Sequence, residues 1–432
     1  MAFWSGTRDA HRGATERRAP MTTEAPPSDT RRPPSSARLV TLLGPAVVAG
    51  VAYLDPGNVA SNMTAGALFG YLLVWVVIAG NATAWLIQYL SAKLGIATGA
   101  SLPELLGRRL SKPWVRRAFW AQAELVAMAT DIAEVIGGAI ALNLLFQLPL
   151  LVGGLVTGII SLCLLLLQSR GRAQLFERVI TGMVVLIAVG FCAGLLVAPP
   201  HWASVASGLV PHFEGSRSVL LAVSILGATI MPHAIYAHSA LARDRFEGSL
   251  VAPRRLLKVT RIDVTIALVV AGTVNVAILL VAAGTLRGVS GTDTLEGAHA
   301  ALLVHLGPLV ATLFAVGLLA SGLASTSVGA YAGSEIMHGL LHYRVPLLYR
   351  RIVTLLPALA LLAFGADPTS ALVISQVVLS FGIPFALVPL VLFTASRATM
   401  GDLRNRWHTT ALAAVAAVAL IVLNVVLLVL VF

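Results

Sequence analysis

Long apolar stretches alternate with short polar connections along this chain. Runs of about 20 residues with few charges recur from Leu39 to the C-terminus, the length a helix needs to cross a bilayer core of about 30 Å. The runs are continuous and lack the period-two alternation of strands that face lipid and lumen in turn, which excludes a β-barrel. Eleven spans are predicted, beginning near Leu39, Tyr71, Val115, Leu150, Val179, Val219, Lys258, Ala298, Leu348, Ala371 and Thr409. The predicted fold class is an all-α polytopic membrane protein.

Composition agrees with the pattern. Of 432 residues, 57% are hydrophobic and 11% charged, with a mean hydropathy of +0.87. Water-soluble domains carry about 25% charged residues, so too few are present here to cover a soluble surface.

The net charge of +11 raises the question of nucleic acid, and its placement answers it. The N-terminal tail holds 7 Lys and Arg, and alternate connections hold 6, 3, 6, 3 and 3, leaving only Arg217 and Arg287 for the other side. Basic connections are retained in the cytoplasm during insertion, so the predicted N-terminus is cytoplasmic and the C-terminus extracellular. Such loops are topology signals, and no nucleic-acid partner is expected. Residues 1–38 are rich in Arg, Pro, Ser and Thr without an apolar core, which predicts a disordered basic tail and no secretory signal peptide. Met21 offers an alternative start. Cys163 and Cys192 fall inside apolar spans without CxxC spacing and are read as small packing residues.

The spans divide into two groups of five, 39–197 and 219–396, with residues 409–432 as an extra eleventh span. Five is odd, so consecutive groups have opposite orientations, the inverted-repeat plan of many secondary transporters. Both groups carry a break in their first span: Asp55-Pro56-Gly57-Asn58 in the first and Met231-Pro232-His233 in the second. Proline removes a donor and clashes with the preceding turn, and glycine tolerates angles a helix excludes. Unwound backbone at mid-membrane persists only where protein or a water-lined cavity satisfies it, so paired breaks form a ligand site.

The polar residues at the breaks narrow the ligand. Asp55 lies deep in a span, where a carboxylate costs roughly 2.5–3.5 kcal/mol on insertion scales without a partner. Asn58 adds an amide oxygen and Met231 a thioether. Oxygens suit hard or borderline cations, and sulfur tilts the set toward first-row transition metals over Ca²⁺ and Mg²⁺. In the third span, Glu124, Asp131 and Glu134 are spaced 7 and 3 apart and share one helical face. That face turns inward, and Arg350 and Arg351 at the mouth of the ninth span are its expected partners. A proton relay and a static charge network are the two readings of this row. His233 and His238 are five apart and do not chelate together. His233 adjoins the second break, where it either assists proton release or packs, whereas His299 and His305 need no metal.

The segments "AYLDPGNVASNMTAGA" and "LGATIMPHAIYAHSA" resemble the paired signatures of the Nramp metal-ion transporters. The resemblance continues through "LSAKLGIATG", "ATDIAEVIGGAIALNLLF" and "SQVVLSFGIPFALVPL" and covers nearly everything from Leu39 to Arg406. It implies a LeuT-like scaffold and proton-coupled import of Mn²⁺ or Fe²⁺ by alternating access, closest in length to the family's bacterial manganese importers. It assigns the metal to Asp55, Asn58 and Met231, to the carbonyls of Ala52 and Ala228, and to Gln376 in the tenth span in some states. It assigns the proton route to Asp131, Glu134, Arg350 and Arg351; Asp55, Glu124 and His233 join that route on the residue reading. No cofactor is expected, since the metal and protons are substrates; the partners are those ions and membrane lipid, and the sequence leaves the oligomeric state open, a monomer being compatible with it.

Two other classes are weighed. A Na⁺-coupled amino-acid transporter on the same scaffold would show a Gly-rich first break without an Asp/Met pair. An intramembrane metalloprotease would need an HExxH helix, and no His here is followed by Glu. A passive channel would have no use for the carboxylate row.

Overall fold

A computed structural model describes residues 45–169, 173–343 and 345–431. The predicted tail at 1–38 lies outside the described residues. Among those described there is no strand, and eight helices are long and apolar enough to cross a membrane.

The first span is α1 (Pro45–Gly50), a 3₁₀ turn (Val51–Leu54) and α2 (Pro56–Phe69). Then follow α3 (Val74–Thr98), α4 (Leu102–Arg109), α5 (Pro113–Phe146), α6 (Leu150–Ser169) and α7 (Ala173–Val197). The second half opens with α8 (Gly215–Thr229) and α9 (Pro232–Phe246), two pieces of one broken span, and continues with α10 (Pro253–Thr285). It closes with α11 (Leu295–Leu306), α12 (Pro308–Leu341), α13 (Leu347–Ala363) and α14 (Pro368–Ala395). The last span is α15 (Trp407–Val431).

One predicted boundary is corrected. The eighth span, expected near Ala298, begins at Pro308, and Ala298 lies in the separate 12-residue helix α11. Gly307 between them has φ +86°, a conformation open to glycine, and Pro308 starts a fresh helix at its first position. The apolar run passes through this junction unbroken, so hydropathy alone does not reveal it.

Packing follows the inverted repeat. α2 packs on α10, and its counterpart α9 packs on α3; α5 packs on α14, and its counterpart α12 packs on α7. At the centre α5, α6, α12 and α13, two helices from each half, all touch one another. The outer faces are apolar: Val415, Val418, Val422 and Val429 of α15 and Val185, Val189 and Leu196 of α7 are exposed. Contiguous apolar surface of this extent fits lipid contact. Cys163 is exposed on α6 and Cys192 half-buried on α7, and both are free thiols. Cys163 therefore faces outward and does not pack in the core as expected.

Candidate metal site and charge network

Both breaks have the same local cause. The residue before a proline is pushed out of the helical region, and Asp55 (ψ 161°) and Met231 (ψ 121°) are extended. Pro56 and Pro232 then occupy the first turn of new helices, where a missing N–H costs nothing. Asp55 caps α2: its Oδ1 accepts from the Asn58 backbone N–H at 2.9 Å. A carboxylate is favoured there by the side-chain cap and by the helix dipole together.

The carbonyls released by the breaks are met by side chains. Asn58 Nδ2 donates to Tyr53 O at 2.8 Å and to Ala228 O at 2.9 Å, tying the first break to the second. Asn275 Nδ2 donates to Tyr53 O at 3.1 Å, and the Ser321 hydroxyl donates to Leu54 O. Gln376 Nε2 on α14 donates to Asp55 Oδ2 at 3.2 Å. Gly57 permits this approach, because a Cβ there would collide with the Gln376 side chain. Asp55, Asn58, Met231, Ala228 and Gln376 are fully buried, and Ala52 in the 3₁₀ turn is 1% exposed.

The structure thus joins Asp55, Asn58, Ala228 and Gln376 through direct contacts, with Met231 and Ala52 at the adjoining breaks. The Ala228 carbonyl, expected as a ligand, is taken up by the Asn58 amide in this state. Gln376 Oε1 is buried without a partner. Among the described residues no three His, Cys, Asp or Glu are grouped so as to hold a metal ion. The donor set is instead one carboxylate, amide and carbonyl oxygens and one thioether, a set suited to a borderline divalent ion that must also leave.

The carboxylate row on α5 finds the two arginines of α13. Arg351 Nη1 lies 2.5 Å from Asp131 and 3.5 Å from Glu134, and its Nε donates to Ser161 Oγ at 3.2 Å. Arg350 Nη2 pairs with Glu124 at 2.8 Å. Arg351 is 1% exposed and Glu134 fully buried, so removing either partner strands a charge. The row sits beside the first break, since Pro56 packs so closely on Gly137 of α5 that a Cβ there would overlap its ring.

His233 and His238 part company as predicted. His233 Nδ1 lies 3.2 Å from Thr130 Oγ1, beside Asp131, and its Nε2 has no partner. His238 Nδ1 lies 2.7 Å from Gln88 Oε1, and Gln88 also bonds the Tyr53 hydroxyl.

Several participants escaped the sequence reading. Asn62 Nδ2 donates to Asn58 O at 2.9 Å, and the Ser61 and Ser224 hydroxyls meet at 2.6 Å across the two halves. Polar residues within apolar spans were their only signal. A knot at one end of the bundle was also missed: Arg243 of α9 reaches Glu104 of α4 at 2.8 Å and Glu335 of α12 at 3.1 Å. Asp244 joins it at 2.7 Å.

Known proteins resemble this chain in sequence and fold. The family model described as natural resistance-associated macrophage protein-like matches residues 46–430. The divalent metal cation transporter MntH of Mycobacterium tuberculosis is 59% identical over 391 residues, 90% of this chain and 91% of that protein. The protein of that name in Bacillus subtilis is 46% identical over 394 residues, 90% and 92% of the two chains. The solved manganese transporter of Eremococcus coleocola superposes with a TM-score of 0.80 at 32% identity, covering 91% of this chain and 88% of that one. Mhp1, a nucleobase-cation-symport-1 transporter, superposes at 0.56 and 14% identity over 90% of each chain, a likeness of fold alone. The chain belongs to the Nramp family of membrane transporters.

Proposed function

We propose that this protein imports Mn²⁺ or Fe²⁺ together with protons across the plasma membrane by alternating access. The observation that carries the reading is the junction at the paired breaks, where Asp55 is held between its own helix start and Gln376. A dehydrated divalent ion needs a carboxylate, several neutral oxygens and a way out; this junction supplies the oxygens on two helices that move separately. Asp55, Asn58 and Met231 bind the ion, with the Ala52 and Ala228 carbonyls completing the shell once Asn58 turns from Ala228 to the metal. Gln376 gives up Asp55 and approaches the ion through its Oε1.

Protons pass through Asp55, Asp131 and Glu134 with Arg351, while Glu124 pairs with Arg350 further along the same face. His233 lies between the second break and that row. Metal binding expels a proton from Asp55, because a ligating carboxylate must be ionised. The basic connections put the N-terminus in the cytoplasm and the C-terminus outside. The two repeats, 39–197 and 219–396, form the transporter core, and the eleventh span at 409–432 packs on its outside.

The test is Mn²⁺ uptake into proteoliposomes with and without an inward proton gradient. Uptake accelerated by the gradient and absent in Asp55→Asn is expected. Gradient-independent uptake would leave a channel or uniporter; uptake retained by Asp55→Asn would move the metal elsewhere.

A further inference from the structure

On one flank of the bundle, away from both breaks, α3, α10 and the start of α15 enclose an open cavity of about 800 Å³. Six basic side chains line it: Lys93, Arg254, Lys258, Arg261, Arg404 and Arg406, against one acid, Asp402. Among the described residues none of the six is in an ion pair. Lys93 is only 8% exposed, and its Nζ donates to Asn405 Oδ1 at 2.7 Å. A buried ammonium held by a neutral amide leaves its positive charge uncompensated, which is costly without an anion.

Apart from His408 and Thr409, the rest of the lining is apolar or aromatic. Leu86 and the exposed Leu412 face the same space, and the Arg261 guanidinium lies over the Trp85 ring at 5.5 Å. Along α10 the basic groups run from Arg254 to Arg261, about 10 Å at helical rise. That is on the order of the headgroup layer at one face of a bilayer. Basic connections by themselves mark topology. Here they converge on a concavity with a buried cation at its floor and apolar groups on its walls.

We infer that this cavity binds the phosphate headgroup of an anionic phospholipid of the cytoplasmic leaflet. The phosphate sits among Lys258, Arg261 and Arg404, and the acyl chains leave along Leu412 and the outer face of α15. Basic pockets between spans on the cytoplasmic side hold anionic headgroups in this way. The leaflet follows from the proposed orientation; the binding does not depend on the transport mechanism. The site also has a structural position of interest: α3 packs on α9 and α10 packs on α2, so a lipid bridging α3 and α10 ties together the supports of both broken spans.

The experiment uses the full chain, delipidated in neutral detergent and titrated with phosphatidylglycerol or phosphatidylcholine under native mass spectrometry. One phosphatidylglycerol, bound in preference to phosphatidylcholine, is expected. Lys258→Gln, Arg261→Gln and Arg404→Gln together should weaken it on the order of 100-fold, from the usual worth of three basic groups at an anionic surface. Lys112→Gln, Arg116→Gln and Arg117→Gln together remove the same charge outside the cavity and should leave it unchanged. Equal loss in both triple variants would reduce the effect to the general charge of that face and overturn the proposal. Displacement of the lipid from the parent protein by millimolar inorganic phosphate would also overturn it, since the site would then be one for free anions.

Discussion

Gln376 Nε2 donates to Asp55 Oδ2 at 3.2 Å across the two halves of the molecule. The tenth span therefore closes directly on the first break, and in the proposed cycle the amide that holds this carboxylate moves aside for the metal.

This contact requires Gly57. In Gly57→Ala the added methyl overlaps the Gln376 side chain. Overpacking of this kind costs about 1–3 kcal/mol, enough to lower a closed state roughly 5- to 150-fold. Mn²⁺ uptake should fall by a factor in that range while calorimetric Mn²⁺ binding survives. Uptake at the parental rate would show that the closed contact is not part of the cycle.

Met231 supplies the one sulfur. Met231→Ala should still move Mn²⁺ but admit Ca²⁺ or Mg²⁺, since the oxygen donors remain. Competition of Ca²⁺ against Mn²⁺ uptake reads this directly. Because Met231 is fully buried, the change also lowers stability by about 2–5 kcal/mol, so folding is checked by monodispersity first. A variant that excludes Ca²⁺ as well as its parent would remove the sulfur from selectivity.

Asp131→Asn should separate the proposed proton route from the proposed metal site. The amide cannot carry a proton between partners, but Arg351 keeps Glu134 at 3.5 Å and is not stranded. Metal binding should stay within about threefold of the parent, since no ligand is lost. Internal acidification per Mn²⁺ should fall when both are recorded in one proteoliposome sample. Unchanged acidification per ion would leave Asp131 as a structural charge.

Arg243→Gln should loosen the end of the bundle that the proposed topology puts in the cytoplasm. Arg243 and Glu335 are each 16% exposed and Glu104 21%, between surface pairs worth up to about 1 kcal/mol and buried ones costing 3–5 to break. Hydrogen exchange of the α4 backbone should quicken by roughly tenfold, as a loss of about 1.4 kcal/mol dictates. Unaltered exchange would make the knot a surface ornament.

Local chemistry decided what was legible in advance. The breaks at Asp55-Pro56 and Met231-Pro232 were readable because proline acts on its own neighbour. The carboxylate face of α5 was readable because helical period is fixed, and Arg350 and Arg351 stood out as an isolated pair. The meeting of Asn58 with Ala228, of Ser61 with Ser224 and of Arg243 with Glu104 depends on which helices touch, which no local pattern records. The start of α12 was misplaced because averaging hydropathy erases a Gly307-Pro308 junction. The engaged state of the Ala228 carbonyl belongs to one conformation, and a sequence describes all conformations at once.

The buried charges on α5 and α13 belong to a different part of the fold from the residues at the paired breaks. Asp131, Glu134 and Arg351, with Ser161 and Thr326 beside them, lie within the mutually packed α5, α6, α12 and α13. In the proposed cycle that quartet is the stator, whereas Asp55, Asn58 and Met231 ride on the broken rotor. In that cycle Asp55 and His233 are where the two parts exchange a proton, and the Arg351 ion pairs themselves include no residue of the broken spans. On the proposed cycle so narrow a link permits slip, with metal crossing without its proton or a proton without its metal. The ratio of the two fluxes then varies with voltage and pH and is not a fixed whole number.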